Sequence, residues 1–96
     1  MNTNENFENN GNGNGKTYTS GEVTEIVGIS SRQLYYWELK GFIKPEEISL
    51  GSRRFKKYYM KDIFLLRKVK EYLELGFTLE AIFRKVEPMQ IEVENI

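Results

Sequence analysis

The sequence predicts a mostly α-helical domain that carries one small β-hairpin. Two short segments with helix-capping residues at their starts lie close together between residues 19 and 40. A segment rich in turn residues and then in cations follows, and two longer amphipathic segments extend to residue 87. Two helices joined by a tight turn and followed by a hairpin indicate a winged helix-turn-helix, here with four helices and a two-stranded wing.

Length and composition limit the class of protein. The 96 residues allow one small domain, and 40% hydrophobic residues can form one core. The chain contains neither Cys nor His, which excludes a disulfide framework and removes the commonest metal ligand and general base. No segment approaches about 18 consecutive apolar residues, and no signal peptide pattern is present. We therefore expect a cytoplasmic protein that is not an enzyme, has no cofactor and does not enter a membrane.

The charges are unevenly distributed although they sum to zero. All fourteen Lys and Arg residues lie between Lys16 and Lys85. Between Arg53 and Lys70 there are eight cations and a single acid, Asp62. Such a basic band on a near-neutral chain is typical of a protein that binds a polyanion such as DNA. A solvated surface gives the same composition, so charge alone leaves both alternatives open.

The two ends of the chain differ from its centre. Residues 1–16 are dominated by Asn and Gly, cannot bury much apolar area, and are predicted to form a disordered tail. We place the winged helix-turn-helix domain at residues 17–87 and a short C-terminal tail at residues 88–96. In that tail apolar and polar residues alternate as in a strand. An edge strand, a partner-binding tail and disorder all remain open for it.

The first two helices are predicted from their capping residues. One capping box begins at Thr19 and a second begins at Ser30. Gly28, between them, can adopt the left-handed conformation that ends a helix. The second helix is predicted over residues 31–40, before Gly41.

The second helix carries the residues expected to read DNA. Leu34 and Trp37 are spaced to face the first helix, and Trp37 is expected in the core. Arg32 can pair two donors with the edge of guanine, and a Tyr hydroxyl can reach a phosphate. Tyr35 and Tyr36 could instead complete the core beneath the hairpin, and this alternative stays open.

A two-stranded wing is predicted after the second helix. Residues 42–45 are expected to be extended because a residue before Pro avoids the helical region. The turn lies between Glu46 and Ser52, and the basic wing, residues 51–58, returns from it. Four cations within five residues are more than solubility requires, so this arm is expected to lie along phosphates. They are Arg53, Arg54, Lys56 and Lys57.

Two amphipathic helices are predicted after the wing. The longer one spans residues 60–75, and Asp62 near its start is favoured by the helix dipole. The last helix is capped by Thr78 and is expected to stop before Pro88. The longer helix also carries cations that form either a third phosphate contact or a solvated side. They are Arg67, Lys68 and Lys70.

Several short motifs occur in a specific order and spacing, although each is weak by itself. They are YTSGEV at 18–23, ISSRQLYYWE at 29–38, GFIKP at 41–45, a wing-to-helix pattern of Arg54 or Lys57 with Tyr58 and Asp62, and LGFTLEAI at 75–82.

Together these motifs resemble the DNA-binding domain of the MerR family of bacterial transcription regulators, from about Tyr18 to Val86. The resemblance implies a winged helix with a second, helical wing formed by the last two helices. It also implies that the helix at 31–40 enters the major groove and that the hairpin contacts phosphates. The residues expected to bind DNA are Thr19, Arg32, Gln33, Tyr35, Tyr36, Arg53, Arg54, Lys56, Lys57 and Tyr58.

The sequence departs from the family pattern in several ways. Tyr35 occupies a position where the family usually has Arg, and Tyr59 replaces the usual Ser cap before the long helix. Family activators continue into a dimerisation helix and an effector domain, whereas about ten residues follow Val86 here. We therefore expect no small-molecule effector, metal or redox sensing on this chain.

These observations predict a small DNA-binding protein, most simply a transcriptional regulator. One copy covers one half-site, so tight binding needs self-association on repeated sites or a protein partner. An excisionase-like recombination or architectural factor is the alternative within DNA binding. A protein-interaction module is the alternative outside it, with a contact surface formed by Phe64, Leu65, Tyr72, Ile91 and Val93.

Overall fold

The computed structural model describes residues 15–94, so the first fourteen residues of the predicted disordered tail lie outside it. It contains the four helices and the two-stranded antiparallel hairpin that the sequence predicts. The elements in chain order are α1 (Ser20–Val27), α2 (Ser31–Leu39), β1 (Glu46–Leu50), β2 (Arg53–Lys57), α3 (Met60–Glu74) and α4 (Leu79–Glu94).

Both predicted capping boxes are formed. The Thr19 hydroxyl accepts the backbone N–H of Glu22 at 3.1 Å, and the Glu22 carboxylate accepts that of Thr19 at 2.9 Å. Ser30 and Gln33 make the same reciprocal pair, with both bonds at 3.0 Å. Each box satisfies two amides that a helix start would otherwise leave without partners, so these residues fix where α1 and α2 begin.

The turn between α1 and α2 depends on Gly28 and on a lysine from α3. Gly28 has a φ of +80°, which a residue with a Cβ rarely adopts. The Lys70 ammonium donates to the backbone carbonyl of Val27 at 3.1 Å and so caps the end of α1. Lys70 therefore has a structural role. This role differs from both alternatives predicted for the α3 cations, a phosphate contact and a solvated side.

The hydrophobic core joins all four helices and the segment that follows α2. Trp37 is 2% exposed, which confirms its predicted burial, and its ring meets Phe42 edge-on with centroids 6.5 Å apart. Phe42 in turn packs against Phe83 of α4 at 5.9 Å. The buried apolar residues are Val23, Val27, Ile29, Leu34, Trp37, Phe42, Ile43, Tyr58, Ile63, Leu65, Leu66, Val69, Ile82 and Val86.

The last helix is longer than the sequence predicts. The prediction that it stops before Pro88 is wrong, because α4 continues through Pro88 to Glu94 and the expected tail is helical over these residues. Met89 and Val93 follow Val86 at intervals of three and four, and both pack against the core. Ile91, between them, is 64% exposed. The alternation of Met89, Ile91 and Val93 fits a strand, but Met89 and Val93 also fit one face of a helix. Packing of that face against the core stabilises the helix.

The final turns of α4 are bound to the end of α2. The side-chain amide of Gln90 donates to the carbonyl of Gly41 at 2.7 Å and to that of Phe42 at 2.8 Å. Carbonyls after a helix end have no partner within the helix. Gln90 therefore connects a segment expected to be a tail with the place where the chain leaves α2.

We expect Gln90→Ala to lower the free energy of unfolding by about 2 kcal/mol, because two partly buried carbonyls lose their donor. Chemical unfolding followed by circular dichroism measures this change. Glu92→Ala is the control, since Glu92 lies on the same helix and is exposed. An equal effect of both substitutions would contradict the role assigned to the Gln90 amide.

Candidate nucleic-acid interface

One face of α2 is buried in the core and the opposite face is exposed. Leu34 and Trp37 lie in the core. Tyr35 is 60% exposed and Tyr36 is 43% exposed, so the alternative that these tyrosines complete the core is wrong. The exposed residues follow the i, i+3, i+4, i+7 spacing of one helix face. We call this face the α2 ridge; it consists of Arg32, Tyr35, Tyr36 and Leu39.

The α2 ridge lies between the hairpin and α4. On one side, Tyr35 and Leu39 line a shallow cleft together with Lys56 of β2. On the other side, Lys40 lines a cleft together with Arg84 of α4. The Lys40 ammonium also lies 5.2 Å from the centre of the Tyr36 ring. An exposed helix face is thus bordered on both sides by elements that carry cations.

The predicted wing is present as a hairpin with a narrow tip. Ile48 pairs with Phe55, and the tip lies at Gly51 and Ser52, within the range predicted for the turn. The pairing also places acids opposite cations. Glu46 lies opposite Lys57, and Glu47 lies opposite Lys56.

The four predicted phosphate-binding cations of the hairpin are not equivalent. Lys56 donates to the carboxylate of Glu38 in α2 at 2.6 Å. Arg54 lies 3.4 Å from Glu47, but both side chains are more than half exposed, so this pair contributes little. The Arg53 guanidinium stacks over Phe55 at 5.1 Å. Lys56 is thus bound to α2 although it remains exposed, whereas neither arginine is bound to a helix through these contacts.

Tyr58 is buried, which contradicts the prediction that it contacts phosphate. Its side chain is 1% exposed, and its hydroxyl donates to Glu38 at 2.5 Å. Its backbone pairs with that of Tyr18 through two hydrogen bonds of 2.8 and 3.0 Å. A phenol held in this way cannot reach a phosphate unless the core opens.

Glu38 joins α2 to the hairpin, and sequence reasoning gave it no role. Its side chain is 10% exposed, and one carboxylate oxygen accepts Lys56 while the other accepts Tyr58. These partners follow 18 and 20 residues later in the chain. No local pattern indicates such a contact. We call these three residues the Glu38 node.

The start of α3 supports the other strand of the hairpin. The carboxylate of Asp62 accepts the backbone N–H of Tyr59 at 2.8 Å, as expected for an acid at a helix start. The Tyr59 hydroxyl donates to Glu46 of β1 at 2.7 Å. This hydrogen bond raises the pKa of Tyr59 above its usual value. Tyr59 therefore links β1 to α3.

Two further residues predicted to bind DNA have capping roles. Thr19 and Gln33 complete the capping boxes of α1 and α2, and both are exposed. Their positions at helix N-termini are suited to phosphate, which the partial positive charge there attracts. A DNA contact by either residue stays a prediction.

Comparison with known proteins identifies the family. The family model described as MerR HTH family regulatory protein matches residues 18–87. The chain belongs to the MerR family.

MerR-family relatives share about one residue in three with this chain. The transcriptional regulator HmrR of Sinorhizobium medicae is 34% identical over 62 residues, which are 65% of this chain and 41% of HmrR. The transcriptional activator TipA of Streptomyces lividans is 30% identical over 66 residues, 69% of this chain and 25% of TipA. TnrA of Bacillus subtilis is 29% identical over 80 residues, 83% of this chain and 70% of TnrA. The chain thus spans less than half the length of HmrR and of TipA.

Solved MerR-family structures have the same fold. HiNmlR, a MerR family regulator lacking the sensor domain and bound to promoter DNA, matches with a TM-score of 0.68 and 25% identity. The match covers 79% of this chain and 56% of HiNmlR. A MerR-family regulator from Bacillus cereus matches with a TM-score of 0.65 and 21% identity, over 74% of this chain and 52% of that protein.

Two other kinds of site have no support within residues 15–94. No helix in this range is long and apolar enough to cross a membrane. No group of three or more acidic side chains in the same range is arranged to hold a metal ion. The named relatives are transcriptional regulators and give no support for an enzyme.

We expect Tyr58 to remain neutral at pH 10, the ordinary phenol pKa. Burial raises the pKa of Tyr58 most strongly, followed by its hydrogen bond to Glu38 and the negative charges of Glu38 and Asp62. Titration of phenolate absorbance should therefore give the same amplitude near pH 10 for the wild type and for Tyr58→Phe.

The raised pKa of Tyr58 makes the free energy of unfolding depend on pH. The neutral phenol contributes its full share to the stability of the folded state below about pH 10. This contribution is lost as the pH rises further, because Tyr58 ionises more readily in the unfolded chain than in the folded one. A lower amplitude near pH 10 for Tyr58→Phe would mean that Tyr58 ionises normally.

Proposed function

We propose that this MerR-family chain binds double-stranded DNA and regulates transcription. The observation that carries the proposal is the α2 ridge, an exposed helix face with a cationic hairpin beside it. The DNA-bound HiNmlR, which shares the fold, supports it. Binding to DNA also agrees with the cytoplasmic location predicted from the sequence.

In this proposal the α2 ridge enters the major groove. That groove is about 12 Å wide and admits one α-helix. Arg32 can donate two hydrogen bonds to O6 and N7 of guanine, the commonest specific contact. The hydroxyls of Tyr35 and Tyr36 can reach phosphates while their rings cover sugars or thymine methyl groups. Because Tyr35 replaces the usual Arg of the family, Arg32 supplies the one guanidinium of the α2 ridge.

The hairpin contacts phosphates through three of its four cations. Arg53 and Arg54 are exposed and Lys57 is partly exposed, and stacking on Phe55 limits the freedom of the Arg53 side chain. Lys56 is bound by Glu38, so we assign it a structural role instead. On the other side of α2, the helical wing formed by α3 and α4 offers Arg84 near Lys40.

Tight binding requires more than one copy or a partner. A single copy presents one α2 ridge, which covers one half-site. We propose that copies associate on repeated sites or that a second protein supplies the remaining contacts. We assign no small-molecule effector to the described residues. Of the surface considered for a protein-interaction module, Leu65 is 3% exposed and cannot take part.

The proposed phosphate contacts predict a specific change in salt dependence. Replacing Arg53 and Lys57 together with Gln should weaken binding to random-sequence duplex DNA and reduce the slope of log K against log salt by about 0.9 per lost contact. Fluorescence anisotropy at several salt concentrations measures the slope. Lys68→Gln removes a cation of α3 that pairs with Glu71 and serves as the control. If the slope fell by the same amount per removed charge in both variants, the phosphate contacts would not be localised on the hairpin.

Arg32 should govern the choice of sequence. Selection from a random library first defines the preferred site of the wild type. Arg32→Ala should then reduce the preference for that site over random duplex by about 1–3 kcal/mol, because a bidentate base contact is lost. Arg67→Ala, an exposed arginine of α3, is the control for loss of one charge. A uniform loss on all sequences would mean that Arg32 contacts only phosphate.

The same selection separates regulation from an architectural or recombination role. An enriched short motif supports a sequence-specific regulator. Salt-sensitive binding without an enriched motif would support the architectural alternative, because phosphate contacts carry no sequence information.

A further inference from the structure

The Glu38 node lies where the α2 ridge and the hairpin meet. Glu38 is in the last turn of α2, directly before Leu39 and three residues after Tyr35 of the ridge. Each carboxylate oxygen accepts one donor, from Lys56 at 2.6 Å and from Tyr58 at 2.5 Å. Both bonds involve an ionised acceptor and are therefore stronger than bonds between neutral groups.

The hairpin is held at its base and exposed at its tip. Tyr58 directly follows β2 and is buried, whereas Leu50 beside the tip is 65% exposed. A two-stranded hairpin is only marginally stable by itself, so its orientation depends on the contacts at its base. A five-residue strand is about 16 Å long, so a rotation of about 10° at the base moves the tip by about 3 Å. Small changes at the node thus become large displacements of the cations.

We propose that Glu38 is a positioning residue that fixes the hairpin relative to the α2 ridge and thereby sets discrimination between DNA sites. This inference rests on the proposed DNA-binding function and deepens it. Random DNA needs only cations near phosphates, in any arrangement. A specific site requires base contacts from α2 and phosphate contacts from the hairpin at the same time. A hairpin that is already held in place makes its phosphate contacts without losing further conformational entropy on binding.

A second attachment of the hairpin provides a matched control. The Tyr59 hydroxyl donates to Glu46 at 2.7 Å, also at the base of the hairpin. This bond links β1 to α3, whereas the Glu38 node links β2 to α2. Tyr59→Phe therefore removes a hydroxyl–carboxylate hydrogen bond at the same end of the hairpin and leaves the connection to α2 intact.

The experiment compares affinity for the selected site with affinity for random duplex in four variants: Glu38→Gln, Lys56→Met, the double variant and Tyr59→Phe. Glu38→Gln and Lys56→Met should each lower the ratio of the two affinities by about tenfold, the effect expected when one charge-assisted bond is lost. The double variant should lose no more than either single variant, because both act on one node. Tyr59→Phe should retain the wild-type ratio.

Binding to random duplex separates positioning from charge. Lys56→Met should leave the salt slope on random DNA unchanged, because Lys56 is bound to Glu38 and contacts no phosphate. A slope reduced by about 0.9 would identify Lys56 as a phosphate contact and overturn the inference. General loss of folding would lower both affinities together, which is not the expected result.

Hydrogen exchange supplies a measurement that needs no DNA. The amides of Tyr18 and Tyr58 bond to each other's carbonyls at the base of the hairpin. Both should exchange faster in Glu38→Gln, while amides within α3 keep their wild-type protection. If Glu38→Gln fails to fold, Lys56→Met tests the same node while keeping the bond between Glu38 and Tyr58.

The outcomes distinguish this inference from the function on which it rests. Wild-type discrimination that persists in both Glu38→Gln and Lys56→Met would overturn the positioning role and leave DNA binding intact. Absence of salt-sensitive binding by the wild type would overturn the proposed function itself.

Discussion

Burial of the inner face of α2 is the constraint on which the rest of the structure depends. Trp37 is almost completely buried and meets Phe42, which in turn packs on Phe83 of α4. Any rotation of α2 that turned Trp37 outwards would expose an indole that the core now buries. Once Trp37 and Leu34 face inwards, the helical period places the α2 ridge outwards. The exposed chemistry of α2 is therefore a consequence of packing on its opposite side.

Polar contacts then attach the hairpin to this helical core. The hairpin has too little buried apolar area to fix its own orientation, and Leu50 beside its tip is exposed. Glu38 holds its second strand on α2, and the Tyr59 hydroxyl holds its first strand on α3 through Glu46. Hydrophobic burial thus orients the helices, and the Glu38 node orients the hairpin relative to α2. These two kinds of interaction respond differently to substitution, since a carboxylate bond is directional and apolar contact is not.

The parts of this structure that are encoded locally were predictable, and those encoded by distant contacts were not. The capping boxes and the acid of α3 follow from residues three apart, and the sequence predicted both. The bonds from Lys70 to Val27 and from Gln90 to Phe42 join residues 43 and 48 positions apart, which no sequence pattern indicates. The phosphate contact predicted for Tyr58 is wrong because a tyrosine suits both a phosphate contact and a buried hydrogen bond.

The acids paired with the hairpin cations affect how far its charge acts. Glu46 and Glu47 lie directly opposite Lys57 and Lys56. At distances beyond the Debye length of about 8 Å, such closely spaced opposite charges largely cancel. The two acids therefore offset two of the four cationic charges of the hairpin at long range and weaken, without removing, its attraction for a polyanion. For a chain that binds DNA as proposed, this arrangement lowers the rate of encounter with any DNA, because long-range charge acts mainly on association. The carboxylates on the hairpin thus moderate electrostatic steering and leave affinity to the contacts that form at the binding site.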